Sequence, residues 1–273
     1  MTHQPSSDER LAVAKNLEHY LVPTIFRPWA EDLLNHISPQ QGEHVLDIAC
    51  GTGVAARLVA ESVGISGTVI GLDNSEEALE VARKHALAEN IQWQRGDAVN
   101  LPFLDAQFDI VLCQQGLQFF RDKQTALREM QRVLKYDGRI AVSVWSSIRN
   151  SPGYFAIQEA LLETAPDVAK GMSPGFSLDD AEQLQTLLLD CGCNNVRVYT
   201  TTKDAHFVSA EAWVHQWESC SVRMRALNRA RPKEAVEADR AKLIVGVKTR
   251  LQDYESSKGL IFPMEVHIAV ASK

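Results

Sequence analysis

Residues Val45–Leu58, VLDIACGTGVAARL, change period at their middle. Val45-Leu46-Asp47-Ile48-Ala49 is a short apolar run of the kind a buried parallel strand shows. Val54, Leu58 and the alanines between them suit a helix packed on that strand. Between the two lies Cys50-Gly51-Thr52-Gly53, where missing Cβ atoms permit a tight corner and close approach of the backbone. The stretch predicts strand, turn, helix, and in an open α/β sheet such a corner is where ligands bind.

Outward from that corner the chain alternates apolar runs with amphipathic ones. Strands are predicted at 44–49, 68–73, 91–95, 108–113 and 139–145. Helices lie between them: NSEEALEVARKHALAEN with Asn74 as cap, and DKQTALREMQRVLKYDG with Asp122 as cap and Gly138 as stop. This alternation means a parallel sheet with right-handed crossovers. Two helices are expected before it, over 7–19 and 29–37. After residue 146 the rhythm breaks into loop and one helix, and then resumes with a helix over 177–190 and strands over 195–202 and 261–272. Residues 209–256 are long, mostly helical and rich in Trp, Arg and Met. The expected fold is therefore a Rossmann-like, doubly wound α/β domain spanning 1–273, with a mostly parallel seven-stranded sheet, an antiparallel last strand and a helical lid. Its core would comprise 40–148, 177–208 and 257–273, with a flap at 1–39 and lid insertions at 149–176 and 209–256.

Composition narrows the function. Lys and Arg number 28 against 35 Asp and Glu, a net charge of −7, with no dense basic run, so a nucleic-acid backbone is not the expected partner. No stretch is long and apolar enough to span a bilayer, and the polar start MTHQPSSDER does not read as a signal peptide, so a cytoplasmic protein is expected. The five cysteines are scattered; Cys191 and Cys193 form the one close pair and lack a second pair at zinc-site spacing, so no metal is expected.

Gly51-Thr-Gly53-Val-Ala-Ala56, with Asp73 ending the next strand, also fits a dinucleotide fingerprint. Three features point elsewhere. Asp47 stands just before the glycine turn, where a carboxylate repels a pyrophosphate and suits a cation. Asp97 follows the third strand, and FDIVLCQQGLQFF ends the fourth with amides and aromatics. Three acids at neighbouring strand ends ask for a ligand with an ammonium group, ribose hydroxyls and an amino-purine.

The segments VLDIACGTG, VIGLDNSEEALEVAR, GDAVNLPF and FDIVLCQQGLQFFRD, followed by LREMQRVLKYDGRIAVSVW, stand in this order. In them the chain resembles the class I S-adenosylmethionine (SAM)-dependent methyltransferases, in particular the small-molecule group that includes the ubiquinone and menaquinone C-methyltransferases. The resemblance covers roughly residues 40–147, extends loosely to 177–202 and 261–272, and says little about 1–39 or 209–256. It implies SAM as cofactor, with Asp47 and the backbone of Ala49, Gly51, Thr52 and Gly53 at the methionine end. Asp73 would take the ribose hydroxyls, Asn74 would flank the adenine or ribose, and Asp97 with the Ala98 N–H would meet the adenine. Gln114 would contact the methionine amino group, and Tyr20 and Phe26 of the flap would cover the cofactor. The chain departs from the group at Ala49, where glycine is usual, and the added methyl narrows the approach slightly.

For the acceptor, Gln115, Phe119 and Trp217 are the candidates, with Met224, Arg223 and Arg225 beside Trp217 and a medium-sized, partly apolar molecule as the expected substrate. No catalytic base is assigned among the eight histidines; His19, His206 and His215 lie nearest the flap and lid. Three functions fit: a small-molecule methyltransferase, a SAM-binding protein of the same fold without methyl transfer, and an NAD-dependent oxidoreductase. Oligomeric state is not legible.

Overall fold

The computed structural model describes residues 5–229 and 231–273. Five parallel strands form one wing of the sheet: β1 (His44–Ile48), β2 (Thr68–Asp73), β3 (Ile91–Arg95), β4 (Phe108–Gln114) and β5 (Leu134–Trp145). The long strands β6 (Asn194–Phe207) and β8 (Gly259–Ser272) complete it, and the two-residue β7 (Glu255–Ser256) pairs with the start of β8. The order is β3-β2-β1-β4-β5-β8-β6, with β8 antiparallel to both neighbours. The chain crosses from one side of β1 to the other between β3 and β4, so the carboxyl ends of β1 and β4 bound the crevice where such sheets take ligands.

Both faces of the sheet are buried. On one, Val45, Val69, Ile110 and Leu112 pack with α2 (Arg27–Ile37) and α3 (Val54–Val63). On the other, Leu46, Ile48, Val111 and Cys113 pack with α5 (Lys123–Val133) and α8 (Ala181–Asp190). That double burial is why the parallel strands read as continuous apolar runs.

Several boundaries differ from expectation. α4 (Glu76–His85) is capped by Ser75, whose side chain accepts from the Ala78 N–H, and not by Asn74. The Asp73 carboxylate accepts from the Ser75 N–H, which displaces the cap by one residue. Gly138 does not stop α5; the helix ends at Val133, and β5 begins at Leu134 with a register shift against β4. Asp122 caps α5 as expected. The first helix, α1 (Ser7–Asn16), runs directly into a π-helical stretch, Leu17–Phe26, containing Pro23. In an α-helix the proline ring would press on the carbonyl four residues back, and the wider π turn relieves that contact.

After β5 come α6 (Pro152–Thr164) and α7 (Pro166–Lys170); between β6 and β7 come α9 (Ala210–Cys220), α10 (Val222–Asn228) and α11 (Lys233–Arg250). α11 lies on α6 and α9, which draws the two inserted segments into one helical layer.

The corner after β1 is sterically demanding. Ala49, Gly51 and Gly53 all have positive φ, at 56°, 55° and 87°. A Cβ on Gly53 would lie 2.2 Å from the Trp93 ring, whereas a Cβ on Gly51 would meet nothing within 4 Å. Gly51→Ala should therefore cost about 1–2 kcal/mol of stability from left-handed backbone alone, and Gly53→Ala about 1–3 kcal/mol more from overpacking. Urea titration of both variants measures the difference; equal losses would show that Trp93 moves aside freely.

Candidate active site

Two adjoining cavities open at the carboxyl ends of β1, β2 and β4. The larger, about 490 Å³, reaches from Asp47 and the turn at 49–52 to Trp145, Trp217 and the segments 168–176 and 220–223. The smaller, about 280 Å³, is lined by Asp73, Asn74, Asp97, Ala98, Gly116 and Phe120 among others. Ala49, Gln115 and Phe119 border both, so the two form a continuous site.

Asp47 is the site's most unusual group. It is 1% exposed, and neither carboxylate oxygen has a hydrogen-bond partner. Burial pushes its pKa up to about 7; the backbone N–H of Ala56, though outside hydrogen-bond geometry, acts against the rise, and the nearby Asp73 carboxyl adds to it. A buried carboxylate without donors either takes a proton or meets a cation or donor from a ligand. Asp73 is fixed differently: one oxygen accepts from the Gly51 N–H at 2.8 Å and the other from the Ser75 N–H at 2.8 Å. Burial raises its pKa, while those two N–H donors act against the rise. Asp97 is exposed and accepts from the Val99 N–H at 3.2 Å.

The amides after β4 divide. Gln114 lines the larger cavity, but its side chain donates to the Phe26 carbonyl at 2.7 Å and so ties the π-helical stretch to the sheet. Gln115, at φ 45°, is buried with both side-chain polar atoms unpaired and faces both cavities. Arg57 makes a second tie, donating to the Thr52 carbonyl at 2.6 Å and pairing with Glu18 at 2.7 Å.

Of the flap residues, Phe26 lines the larger cavity, with Leu17, Leu21 and Val22. Tyr20 lines neither; its ring packs edge-on against His19 at 4.6 Å and rests on the main core. The π helix turns the 21–22 face inward and carries Tyr20 off the site. In α9, Trp217 lines the cavity, whereas Trp213 is wholly buried and donates to the Gly153 carbonyl at 3.0 Å. Met224 faces away into the packing against α11. His19, His206 and His215 are exposed, and no histidine lines either cavity among the described residues.

Tyr154, Cys50, Cys220, Gly171 and Met172 also line the larger cavity. Cys50 belongs to the corner after β1, whereas the other four come from segments that carry no motif, and only the fold brings them to one wall. All five cysteines are free, and no cluster of three or more metal-ligating side chains occurs among the described residues. No helix there is long and apolar enough to cross a membrane.

A family model for the methyltransferase domain matches residues 45–138. A demethylmenaquinone methyltransferase from Staphylococcus epidermidis is 44% identical over 187 residues, covering 64% of this chain and 77% of that protein. The chain belongs to the SAM-dependent methyltransferases.

A 2-phytyl-1,4-naphtoquinone methyltransferase from Synechococcus elongatus is 40% identical over 139 residues, 50% of this chain and 60% of that protein's length. In fold, the chain is similar to phosphoethanolamine N-methyltransferase 2 of Haemonchus contortus in complex with phosphomonomethylethanolamine and S-adenosylhomocysteine. That likeness has a TM-score of 0.57 at 19% identity and covers 90% of this chain and 53% of the other. SAM is the cofactor of the family, and the residues present fit it. The unpartnered Asp47 carboxylate suits a ligand bearing sulfonium and ammonium charge, and Gly51 leaves open space toward it. A pyrophosphate would face the carboxylates of Asp47, Asp73 and Asp97.

The raised pKa of Asp47 has a sign that can be tested on the free methyltransferase. The folded state holds the proton more tightly than the unfolded chain, so stability present near pH 4 is lost as pH rises toward 7. The loss attributable to Asp47 is on the order of 4 kcal/mol at most. Other carboxyls, such as Glu77, held down to about 2 chiefly by its hydrogen bond from Arg10, titrate with the opposite sign. The comparison is therefore wild type minus Asp47→Asn, measured by urea unfolding between pH 4 and 8. A difference that stays flat across that range would place Asp47 in contact with solvent.

Proposed function

We propose that the protein transfers a methyl group from SAM to a small, partly apolar organic acceptor. One observation carries the reading: an acid-lined cavity and a largely apolar one join at the carboxyl ends of β1, β2 and β4. The smaller cavity would take the nucleoside, with Asp73 on the ribose hydroxyls, Asn74 beside it, and Asp97 with the Ala98 N–H at the adenine. Asp47 and the turn Ala49–Gly53 would hold the methionine end, with Phe26 covering it and Gln114 holding Phe26 in place. Gln115, Phe119 and Trp217 would contact the acceptor. The division into a core, a flap at 1–39 and lids at 149–176 and 209–256 belongs to the same reading, supported by the three segments meeting over the larger cavity.

The bound cofactor supplies an electrophilic methyl on sulfur. What this chain supplies is alignment and dryness: aromatic walls exclude water, and the buried, unpaired Gln115 amide can orient a polar group on the acceptor. Both curated relatives are named for naphthoquinone-type substrates, which supports a ring-bearing acceptor of similar size. Five free cysteines, four of them buried, support a reducing, cytoplasmic setting.

Calorimetry should show binding of SAM and S-adenosylhomocysteine and none of NADH. Labelled SAM should then methylate at least one member of a panel of quinols, phenols, amines and carboxylates. SAM binding without transfer to any acceptor would favour the SAM-binding protein that does not methylate. Asp73→Asn should weaken SAM binding by about 1.5–3 kcal/mol, the range for a hydrogen bond involving a charged group; unchanged affinity would remove Asp73 from the site.

Phe119→Ala and Trp217→Ala should lower turnover far more than SAM affinity. Phe119 is 59% exposed, so its truncation should leave the melting temperature within a degree or two. A drop in melting temperature with normal activity per folded molecule would assign these side chains to packing.

A further inference from the structure

Five arginines lie on and after the corner between α9 and α10: Arg223, Arg225, Arg229, Arg231 and Arg240. Four have protein acceptors. Arg225 donates to the Ser219 carbonyl at 3.2 Å, Arg229 pairs with Glu9 at 3.3 Å, Arg231 pairs with Asp239, and Arg240 pairs with Glu218 at 2.6 Å. Arg223 has neither a carboxylate within 4.0 Å nor a hydrogen-bond acceptor among the described residues, and it lines the larger cavity at its exposed rim. The guanidinium lies in a slot kept open by Gly171. A Cβ on that glycine would stand 2.7 Å from the Arg223 Nε and 2.8 Å from its Cδ and Cζ. The rim is thus bridged from the corner after α9 to the end of α7 by one unpaired cation. Asp47, sealed at the floor, is the other charged residue of that lining, and the wall between them is aromatic and aliphatic: Tyr154, Val168, Met172, Phe176 and Trp217.

We infer that the methyl acceptor has an apolar body with a carboxylate at its outer end, and that Arg223, set in the Gly171 slot, selects for that carboxylate. The inference rests on the methyl-transfer reading above and narrows its substrate class. A guanidinium recognises a carboxylate through two parallel N–H donors, so charge and geometry both discriminate against a neutral group of the same shape.

The test uses the full chain saturated with S-adenosylhomocysteine and two nearly isosteric probes, anionic 2-naphthoate and neutral 2-naphthamide, titrated by calorimetry or tryptophan fluorescence. Wild type should bind the naphthoate about fivefold more tightly than the amide, the preference a partly exposed ion pair supplies. Arg223→Gln should bind both alike, with the amide's affinity unchanged. Gly171→Ala keeps the charge but displaces the guanidinium, and should narrow the preference without lowering the melting temperature. Equal binding of the two probes by wild type, or a preference that survives in Arg223→Gln, overturns the inference. Equal weakening of both probes in Arg223→Gln also overturns it, because it assigns Arg223 to packing. S-adenosylhomocysteine affinity, measured by a separate titration of the free chain, separates the two readings. Tight binding with no naphthoate preference removes only the carboxylate, whereas no binding removes the methyl-transfer reading and this inference with it.

Discussion

The Asp47 carboxylate is buried at the floor of the larger cavity, at the end of the central strand, with no hydrogen bond to either oxygen. Left ionised in a site of low dielectric constant, such a group costs several kcal/mol, yet it cannot withdraw. β1 is held from both sides, with Asp47 opposite Gly71 of β2 and Leu112 of β4. Sliding β1 by one residue would free the carboxylate but would send Val45, Leu46 and Ile48 to the wrong faces of a sheet buried on both. The hydrophobic register of the sheet is thus what holds a charge where water would otherwise take it.

The turn that follows transmits this constraint. Ala49 is left-handed at φ 56°, a conformation that costs an alanine on the order of 1 kcal/mol. Its methyl lies 2.7 Å from where a Cβ on Gly116 would stand, so the loop after β4 must carry glycine at that point. The family resemblance places glycine at position 49, and here the missing space is recovered at Gly116. Asp73 closes the third side by accepting from the Gly51 N–H. Three loops that follow three different strands interlock at one corner, and none can relax without the others.

The parallel strands β1 to β4 were legible because burial on both faces makes a short apolar run distinctive, and all four fall within a residue of their expected bounds. The early start of β5 was not: Lys135, Tyr136 and Asp137 read as the end of a helix stopped at Gly138, but Lys135 is anchored to Asp109 at 2.8 Å and the shifted register absorbs them into the strand. The extension of β6 to Phe207 was equally hidden, because its exposed, polar alternation is sustained by pairing along the whole of β8. Asn74 was preferred as a helix cap because local spacing cannot show that Asp73 captures the Ser75 N–H. Tyr20 was placed over the cofactor by the resemblance alone, which carries no information on the π-helical turn around Pro23 that sets it beside the cavity lining. For β5 and β6 a tertiary contact overrode a sound local rule. The floor of the site sits in residues 47–53 and 73–74, where motif and structure coincide, whereas its walls at Tyr154, Gly171 and Arg223 have no motif at all.

That contrast has a physical origin in how each part is held. The floor is built from strand ends and backbone hydrogen bonds, so its geometry follows from the register of a sheet whose core residues are completely buried. The walls come from the π-helical stretch, the end of α7 and the corner between α9 and α10, joined by side-chain contacts: Gln114 to the Phe26 carbonyl, Arg57 to Glu18, and Asn16 to the Ser219 carbonyl at 3.0 Å. A side-chain tie on a surface segment opens at far lower free energy than a central strand separates. Residues on the walls can therefore change in size and charge while leaving the corner around Asp47 undisturbed. On the proposed reading, an enzyme organised in this way would keep one cofactor and alter its acceptor through wall positions such as Trp217 and Arg223, in the part of the chain where no motif is found.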